Sequence, residues 1–351
     1  VSFFFLFILG LFFSFSSTSF LADERLDKEY YFFFQKHFLY TFISFSLMIF
    51  ISTLNTELIN KSLIPIFLIF FIALFLVPVI GVEVKGAKRW LNFFGLRFQP
   101  IEFIKPFFIL IVAQIISSSR IKNINFSYFS SFILLSGIVF LLVGQPDLGQ
   151  SILLICTWSS LIFISGVNIY FLILLLIFVI LLFFGLLHIA PEKFYYIITR
   201  LTSFLDPSKS DSFQSQKAIE AIRQGGLKGQ GMGEGILKES VPEAHTDYII
   251  AVVSEEFGSI ISVLIISIFI FIAFRVVKRV INFSSNFYKL ALCGLASLLI
   301  FQTFIHVGVN ANLLPTTGMT LPFLSYGGSS LLSSGILAGI ILNYTSLEVK
   351  N

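Results

Sequence analysis

The apolar segments of this chain are too long and too frequent for a water-soluble fold. A helix needs roughly 20 apolar residues to cross the hydrocarbon core. Such stretches recur at about 2–21, 32–53, 62–82, 102–118, 127–144, 148–165, 169–189, 249–274, 288–309 and 321–344. Only Gln145-Pro146-Asp147 parts the fifth from the sixth, and only Gly166-Val167-Asn168 the sixth from the seventh. In lipid, a spanning element must satisfy its own backbone groups. Barrel strands would be short and alternating, so these spans read as helices. The expected fold is an all-α integral membrane protein of about ten transmembrane helices, one polytopic domain over 1–351. The long hydrophilic stretch 190–247 is one large loop within it. There, Asp206–Asp211 reads as a turn. Ser215–Gln224 reads as a short amphipathic helix with Ala218, Ile219 and Ile222 on one face.

Composition narrows the classes further. Charged residues make up 12% of the chain, against about 25% in soluble proteins. A lipid-facing surface accepts any large apolar side chain, so the 46 phenylalanines do not mark an aromatic site. The net charge of +4 is too small, and too scattered, for a nucleic-acid partner. Cys156 and Cys293 sit inside apolar runs and read as lipid- or core-facing thiols rather than a disulfide or metal pair. The run from Ser2 has no basic residues ahead of it and is long enough to span; a cleaved signal peptide is the alternative.

Lysine and arginine do not orient the chain by the positive-inside rule once the long loop is set aside. The clusters at 120–122 and 275–289 contain no acid, as cytoplasmic anchors do. The basic residues on the long-loop side are mixed with acids, Trp and Gly, and that side is taken as outside.

Five stretches interrupt the apolar pattern. The first is Lys85-Gly86-Ala87-Lys88-Arg89-Trp90, followed by Gln99-Pro100-Ile101-Glu102-Phe103-Ile104-Lys105. Its cations suit phosphate oxygens, or else they form a snorkelling collar with Trp90 at the interface. The second is Gln145-Pro146-Asp147-Leu148-Gly149-Gln150, where Asp147 either caps the next helix or lines a polar notch. The third is the glycine-rich run Gly225–Gly235. It lacks the strand, helix and Lys-Ser/Thr of a nucleotide loop, and reads as backbone shaped to approach a ligand or partner closely.

The fourth is Val241-Pro242-Glu243-Ala244-His245-Thr246-Asp247-Tyr248, leading to Glu255 and Glu256. A helical turn puts Glu243 and Asp247 on one face. The spacing of His245 does not match a zinc site; a hard cation (Mg²⁺ or Mn²⁺) bridging a phosphate is chemically easier. An acid at a membrane edge is costly unless something uses it. The fifth runs from His306, Asn310 and Asn312 through Leu314-Pro315 to Ser325-Tyr326-Gly327-Gly328-Ser329-Ser330. Broken helix at membrane depth is tolerated only against protein or a watery cavity. The start near Gly327 either offers amides to an anion or packs helices closely through small residues.

In order, these five stretches resemble the signatures of the SEDS family (shape, elongation, division and sporulation), polytopic enzymes that polymerise peptidoglycan. The likeness runs from about 80 to 345. The forms GVEVKGAKRW, EAHTD with EEFG, and GMTLPFLSYGGSS look more like the division branch than the elongation branch. Ile101 stands where the family usually has Ser. The abrupt opening at Val1, without the usual cytoplasmic leader, points to a GTG start codon or a clipped start.

The resemblance implies both termini cytoplasmic, a multi-pass protein of the bacterial cytoplasmic (inner) membrane at the division septum, and a periplasmic loop 190–247. It implies lipid II as substrate, undecaprenyl-linked glycan as product, and no organic cofactor. The implied partners are a class B penicillin-binding transpeptidase and other division proteins. The family's proposed catalytic aspartate falls on Asp247, and Arg89 matches a cavity-lining basic residue. The wider substrate-binding set is Lys88, Arg89, Trp90, Gln99, Glu243, His245, Ser325, Tyr326, Gly327, Gly328 and Ser329, with Lys105 added on its charge and position alone. Asp247 would act as base, with the cations or a divalent metal stabilising the leaving pyrophosphate. Glu255 and Glu256 read as structural anchors. An elongation-type polymerase, a lipid II flippase and a pure division scaffold are the competing readings. Against the flippase, no inverted repeat is visible, and the acids cluster at one surface.

Overall fold

The structure, a computed structural model, describes residues 1–26, 31–84, 86–93, 95–118, 124–170, 173, 177, 195–205, 213–241 and 243–347. Most of the expected span at 169–189, the turn at 206–211 and Lys85 lie outside the described residues.

Before the large loop come helices α1 (Ser2–Leu26), α2 (Phe32–Thr53), α3 (Thr56–Ile80), α4 (Pro100–Ser117), α5 (Ile124–Gly144) and α6 (Leu148–Ile164). The loop holds α7 (Tyr195–Leu205), α8 (Phe213–Gly225) and the single turn α9 (Leu237–Ser240). Then follow α10 (Ile249–Phe257), α11 (Ser259–Val280), α12 (Asn286–Asn310) and α13 (Gly328–Thr345). Among the described residues, α2, α3, α4, α5, α11 and α12 are long and apolar enough to cross a membrane; Ser2–Ser17 and α6 are shorter apolar helices.

Three features differ from the sequence reading. The run 249–274 is not one span. It breaks at Gly258, whose φ of 86° ends α10 and starts α11, and where a Cβ would collide with the Leu227 carbonyl. Only a glycine takes that conformation at no steric cost. The run 321–344 becomes helical only at Gly328, leaving 311–327 without helix. The basic stretch is no loose collar but a three-stranded antiparallel meander, β1 (Val82–Val84), β2 (Ala87–Phe93) and β3 (Leu96–Phe98), in that order. Gly86 and Gly95, at φ 76° and 82°, supply the positive φ its two tight turns require.

The helices divide by what covers them. Helix α4 is buried over every residue from Pro100 to Leu110, and α12 buries most of its length. Helices α3, α5 and α11 bury one stripe and show large apolar side chains such as Ile69, Phe75, Phe140 and Phe274 outward. Helix α13 lies along α2. Its Gly335 faces the Ser44 carbonyl and its Gly339 the Met48 carbonyl, with no room for a Cβ at either. Small residues of this kind let backbones approach where lipid supplies no hydrophobic drive.

Candidate functional site

Residues 243–248 wind into a tight turn ahead of α10. The Glu243 carbonyl accepts from the amides of Thr246 (3.0 Å), Asp247 (3.0 Å) and Tyr248 (3.4 Å), and from the Thr246 hydroxyl (3.1 Å). The end of α12 clamps this turn. Asn310 Nδ2 donates to the Asp247 carbonyl (2.9 Å) and to the His306 carbonyl (2.8 Å), while its Oδ1 accepts from the Ala251 amide (3.0 Å). The main chain of Asp247 is therefore held while its carboxylate stays half-buried, facing Gly318: a Cβ on that glycine would stand 3.6 Å from Asp247 Oδ2.

The non-helical segment 311–327 is stitched both to α12 and to the turn. His306 Nδ1 pairs with the Met319 carbonyl (2.8 Å), and Gln302 Nε2 donates to the Thr320 carbonyl (3.0 Å). The Ser325 hydroxyl donates to the Thr246 carbonyl (2.6 Å) and accepts from the Leu321 amide (2.8 Å). The Tyr326 amide donates to the His245 carbonyl (3.1 Å). The Tyr326 ring packs on His245 (5.4 Å between centroids), Phe33 (5.7 Å) and His37 (6.0 Å). These bonds give the irregular backbone the protein cover it needs at membrane depth.

A residue the sequence reading did not nominate joins here. Arg200, on α7, donates to the Thr316 carbonyl at 2.5 Å. Burial pushes the Tyr248 hydroxyl pKa up, and Asp247's charge pushes it further, while Arg200 pulls it down, so both charges act on that hydroxyl. Nothing in the sequence marked Arg200: its partner is a main-chain carbonyl across the fold.

The other side of the segment meets α4, α6 and β2. Asp147 caps α6, accepting weakly from the Gln150 amide (3.5 Å). It also accepts from Gln99 Nε2 (3.0 Å) and lies 3.9 Å from Arg89 Nε. Arg89 donates to the carbonyls of Gln145 (3.1 Å) and Pro146. Burial pushes the Asp147 carboxyl pKa up, and the Arg89 guanidinium opposes that shift. Two residues on, a Cβ at Gly149 would stand 2.7 Å from Thr317 Cβ. The start of α6 and the 243–248 turn thus flank the same stretch, Thr317–Gly318. Deeper in α4, Lys105 Nζ pairs with Glu102 (2.8 Å) and donates to Gln302 Oε1 (3.2 Å), and Glu102 accepts from Gln150 Nε2 (2.6 Å). A cavity of about 10 Å³, room for one water, lies against this pair and Ser333.

The nominated residues therefore separate. Asp247, Glu243, His245, Ser325 and Tyr326 come together in the turn and the segment that holds it. Gln99 stands with the other cluster: its amide donates to Ser329 Oγ (3.0 Å) at the start of α13, and its side chain to Asp147 (3.0 Å). Arg89 sits half-buried against Asp147, Lys88 is exposed on β2 opposite Glu83, and Trp90 is half-buried. Lys105, at 1% exposure, lies inside the bundle, paired with Glu102 and Gln302 beside the small cavity. Gly328 is corrected. A Cβ there would meet the Tyr40 ring at 2.8 Å, so close helix packing occupies it. Gly327 precedes α13 with an extended φ of 176°.

The glycine-rich run is likewise corrected. Its close partner is the chain's own α10: a Cβ at Gly225 or Gly229 would collide with the carbonyls of Ser254 or Glu256, and the Gln230 and Gly231 amides donate to the Glu255 (2.9 Å) and Glu256 (3.0 Å) carbonyls. Helix α8 buries Ala218 with Ile219 and Ile222 partly buried, and its buried face also takes in Ser215 and Ala221. Glu255 accepts from the Ile236 (2.9 Å) and Leu237 (3.1 Å) amides at the start of α9, and Glu256 accepts from the Ser16 hydroxyl. Both glutamates are anchors within the fold. Cys156 and Cys293 are free thiols.

For a hard cation the protein donors are few. Among the described residues no three His, Cys, Asp or Glu side chains gather as a metal cluster, and Glu243 accepts from Gln214 Nε2 (3.1 Å).

The profile of a family described as a cell cycle protein, spanning FtsW, RodA and SpoVE, matches residues 1–349. The probable peptidoglycan glycosyltransferase FtsW of Caulobacter vibrioides is 35% identical over 346 residues, covering 95% of this chain and 85% of that protein. The stage V sporulation protein E of Bacillus subtilis is 32% identical over 345 residues, covering 95% and 92%. Among solved structures, a chain from work on the structural coordination of polymerization and crosslinking by a peptidoglycan synthase complex superposes with TM-score 0.80 at 23% identity, covering 99% of this chain and 98% of that one. The rod shape determining protein RodA of Thermus thermophilus superposes with TM-score 0.68 at 23% identity, covering 98% and 95%. At that identity the superpositions speak for the multi-pass helical fold.

Proposed function

The chain belongs to the family of FtsW, RodA and SpoVE cell-cycle proteins, and from that premise we propose that it is a peptidoglycan glycosyltransferase of the division branch, polymerising lipid II into β-1,4 glycan. It works in the bacterial inner membrane, at the septum, beside a class B penicillin-binding transpeptidase. Relatives at 33–35% identity carrying the FtsW name favour that branch over the elongation one.

In the reaction, the 4-hydroxyl of the acceptor's terminal GlcNAc attacks the anomeric carbon of a chain linked to undecaprenyl pyrophosphate. The new C–O bond forms as the bond to the pyrophosphate oxygen breaks. The hydroxyl proton goes to Asp247, and the electron pair leaves with the lipid pyrophosphate. The observation that carries this assignment is the contrast at Asp247: its main chain is pinned by Glu243 and Asn310, yet its carboxylate is half-exposed. A base needs that fixed position and that access. The leaving charge is met by cations near the same surface, Lys88 and Arg200, with Arg89 at the edge of the Asp147 cluster. His245, Ser325, Tyr326 and Ser329 shape the floor. A Mg²⁺ or Mn²⁺ ion would arrive largely with the pyrophosphate, since such ions keep few protein ligands beside substrate phosphates; it would supply charge neutralisation of the leaving group.

The test is lipid II polymerisation by the purified protein with and without its transpeptidase partner. Asp247→Asn should lower the rate of polymerisation by about 10²–10⁴-fold while leaving the protein folded and inserted. A near wild-type rate in that variant would sink the assignment.

A further inference from the structure

Helix α2 carries one polar stripe, His37, Thr41 and Ser44, all buried, whose two ends meet the final segment at Tyr326 and Leu331. Positions four and three apart share a helix face. At the far end the stripe pairs directly: the Ser44 hydroxyl donates to the Leu331 carbonyl at 2.5 Å. At the near end it does not. Among the described residues, His37 Nδ1, His37 Nε2 and Thr41 Oγ1 have no hydrogen-bond partner, and His37 is 0% exposed. A neutral imidazole brings one donor and one acceptor, and a hydroxyl brings both. Burying all of these unmade is costly, so a small polar ligand belongs between them.

The neighbours narrow what that ligand is. Around His37 stand the Tyr326 ring, stacked at 6.0 Å and tilted by 28°, and behind it Phe33 and His245. Tyr40 fills the space left by Gly328. Among the described residues these neighbours are rings, none a carboxylate or an ammonium, and His37 is fully enclosed, which suits a small neutral molecule better than an ion or a sugar. We propose that His37 and Thr41 hold an internal water, and that this hydrated pair fixes the Tyr326 ring and, through it, the His245 side of the 243–248 turn. His37 is then a positioning residue for glycosyl transfer, acting from α2 without touching substrate. The proposal rests on the reading that the 243–248 turn carries the reaction.

The experiment uses the full chain with its transpeptidase partner, and lipid II as substrate. His37→Phe keeps a flat ring but removes both nitrogens. It should lower kcat by about 10- to 100-fold, as small misplacements do, with KM and melting temperature little changed. His37→Gln, which offers an amide to the same water, should recover most of that loss. Thr41→Val should lower kcat as well, and the double variant His37→Phe/Thr41→Val should be no worse than the poorer single one, because both lose the same water. A density map that resolves ordered solvent should place one within hydrogen-bond reach, about 3 Å, of both side chains.

Wild-type kcat in His37→Phe overturns the proposal. So do losses in the two single variants that simply add, or losses that track melting temperature without rescue by Gln. Should the Phe variant fail to fold, Thr41→Val, His37→Gln and the density decide. If instead Asp247→Asn polymerises at a near wild-type rate, the site reading falls, while the water between His37 and Thr41 is judged by the density alone.

Discussion

Two aspartates, Asp147 and Asp247, each stand just before a helix and close to Thr317–Gly318, yet the fold treats them oppositely. Asp147 is 3% exposed. Its oxygens are taken by Gln99, the start of α6 and the approach of Arg89, and burial raises its pKa against the pull of that guanidinium. Asp247 has its backbone fixed from two sides and its carboxylate left half-exposed. A carboxylate committed to a cap and a cation holds structure together. One whose position is fixed by its main chain can exchange a proton with something outside. Position in the chain and residue type do not separate the two; burial does.

The comparison breaks most visibly at Asp247. Asp247→Asn preserves shape and the Asn310 clamp, so the protein should insert and melt as before. Polymerisation should fall by 10²–10⁴-fold, the range for a positioned base. A variant that loses activity only because it no longer purifies as a folded species would place Asp247 in Asp147's class.

The next effect is in the bundle. Lys105→Met leaves Glu102 buried at 4% exposure without its cation. Removing one partner of a buried pair costs about 3–5 kcal/mol, which should appear as a lower melting temperature in detergent. Replacing both residues, Glu102→Gln with Lys105→Met, should restore much of it, since the uncompensated charge is gone. If the single variant melts normally but fails to polymerise, Lys105 serves the reaction rather than the packing of the bundle.

These pairings explain what the sequence could and could not disclose. Helices α2, α3, α4 and α5 fall close to the expected spans, because twenty apolar residues in lipid have one way to satisfy their backbone. The break at Gly258 escaped because hydropathy carries no φ, and the apolar run continues through it. The meander at 82–98 escaped because its outer strands are only three residues long. Asp247 was legible from a crowd of acids at a membrane edge and from the family signature. The burial of Lys105 was not legible because a charge near a span end reads as surface, and its partner Gln302 lies on a helix far along the chain. Arg200 was invisible for the same reason.

Asp147→Ala sharpens the contrast from the structural side. It removes a cap and leaves Gln99 and Arg89 short of an acceptor. The expected cost is about 1–3 kcal/mol, again read as melting temperature. Its pH dependence carries a sign. The native pKa lies above the unfolded value, so the native state binds more protons between the two. This residue's contribution to stability is therefore full below the ordinary carboxylate range and declines as pH rises through the raised pKa. Asp147→Asn should flatten that slope, measured as melting temperature against pH, whereas Asp247→Asn should leave it in place. The reverse result would exchange the two roles.

The smallest effect is expected at Arg200, and it tests what the surface beside Asp247 is for. Its guanidinium is half-buried and reaches Thr316 from α7, on the Asp247 side of the segment. If it draws the pyrophosphate toward the base, Arg200→Ala should raise KM for lipid II by about tenfold, worth roughly 1.4 kcal/mol, and change kcat little. A half-exposed cation is also screened by salt. Raising ionic strength should therefore weaken the wild type toward the variant, while the variant responds less. Arg200→Lys keeps the charge but loses the planar fork, and should fall between them. A wild-type KM in Arg200→Ala would leave this arginine as a strut for the 311–327 segment, and would move the search for the leaving-group partner to Lys88 and the edge of the Asp147 cluster.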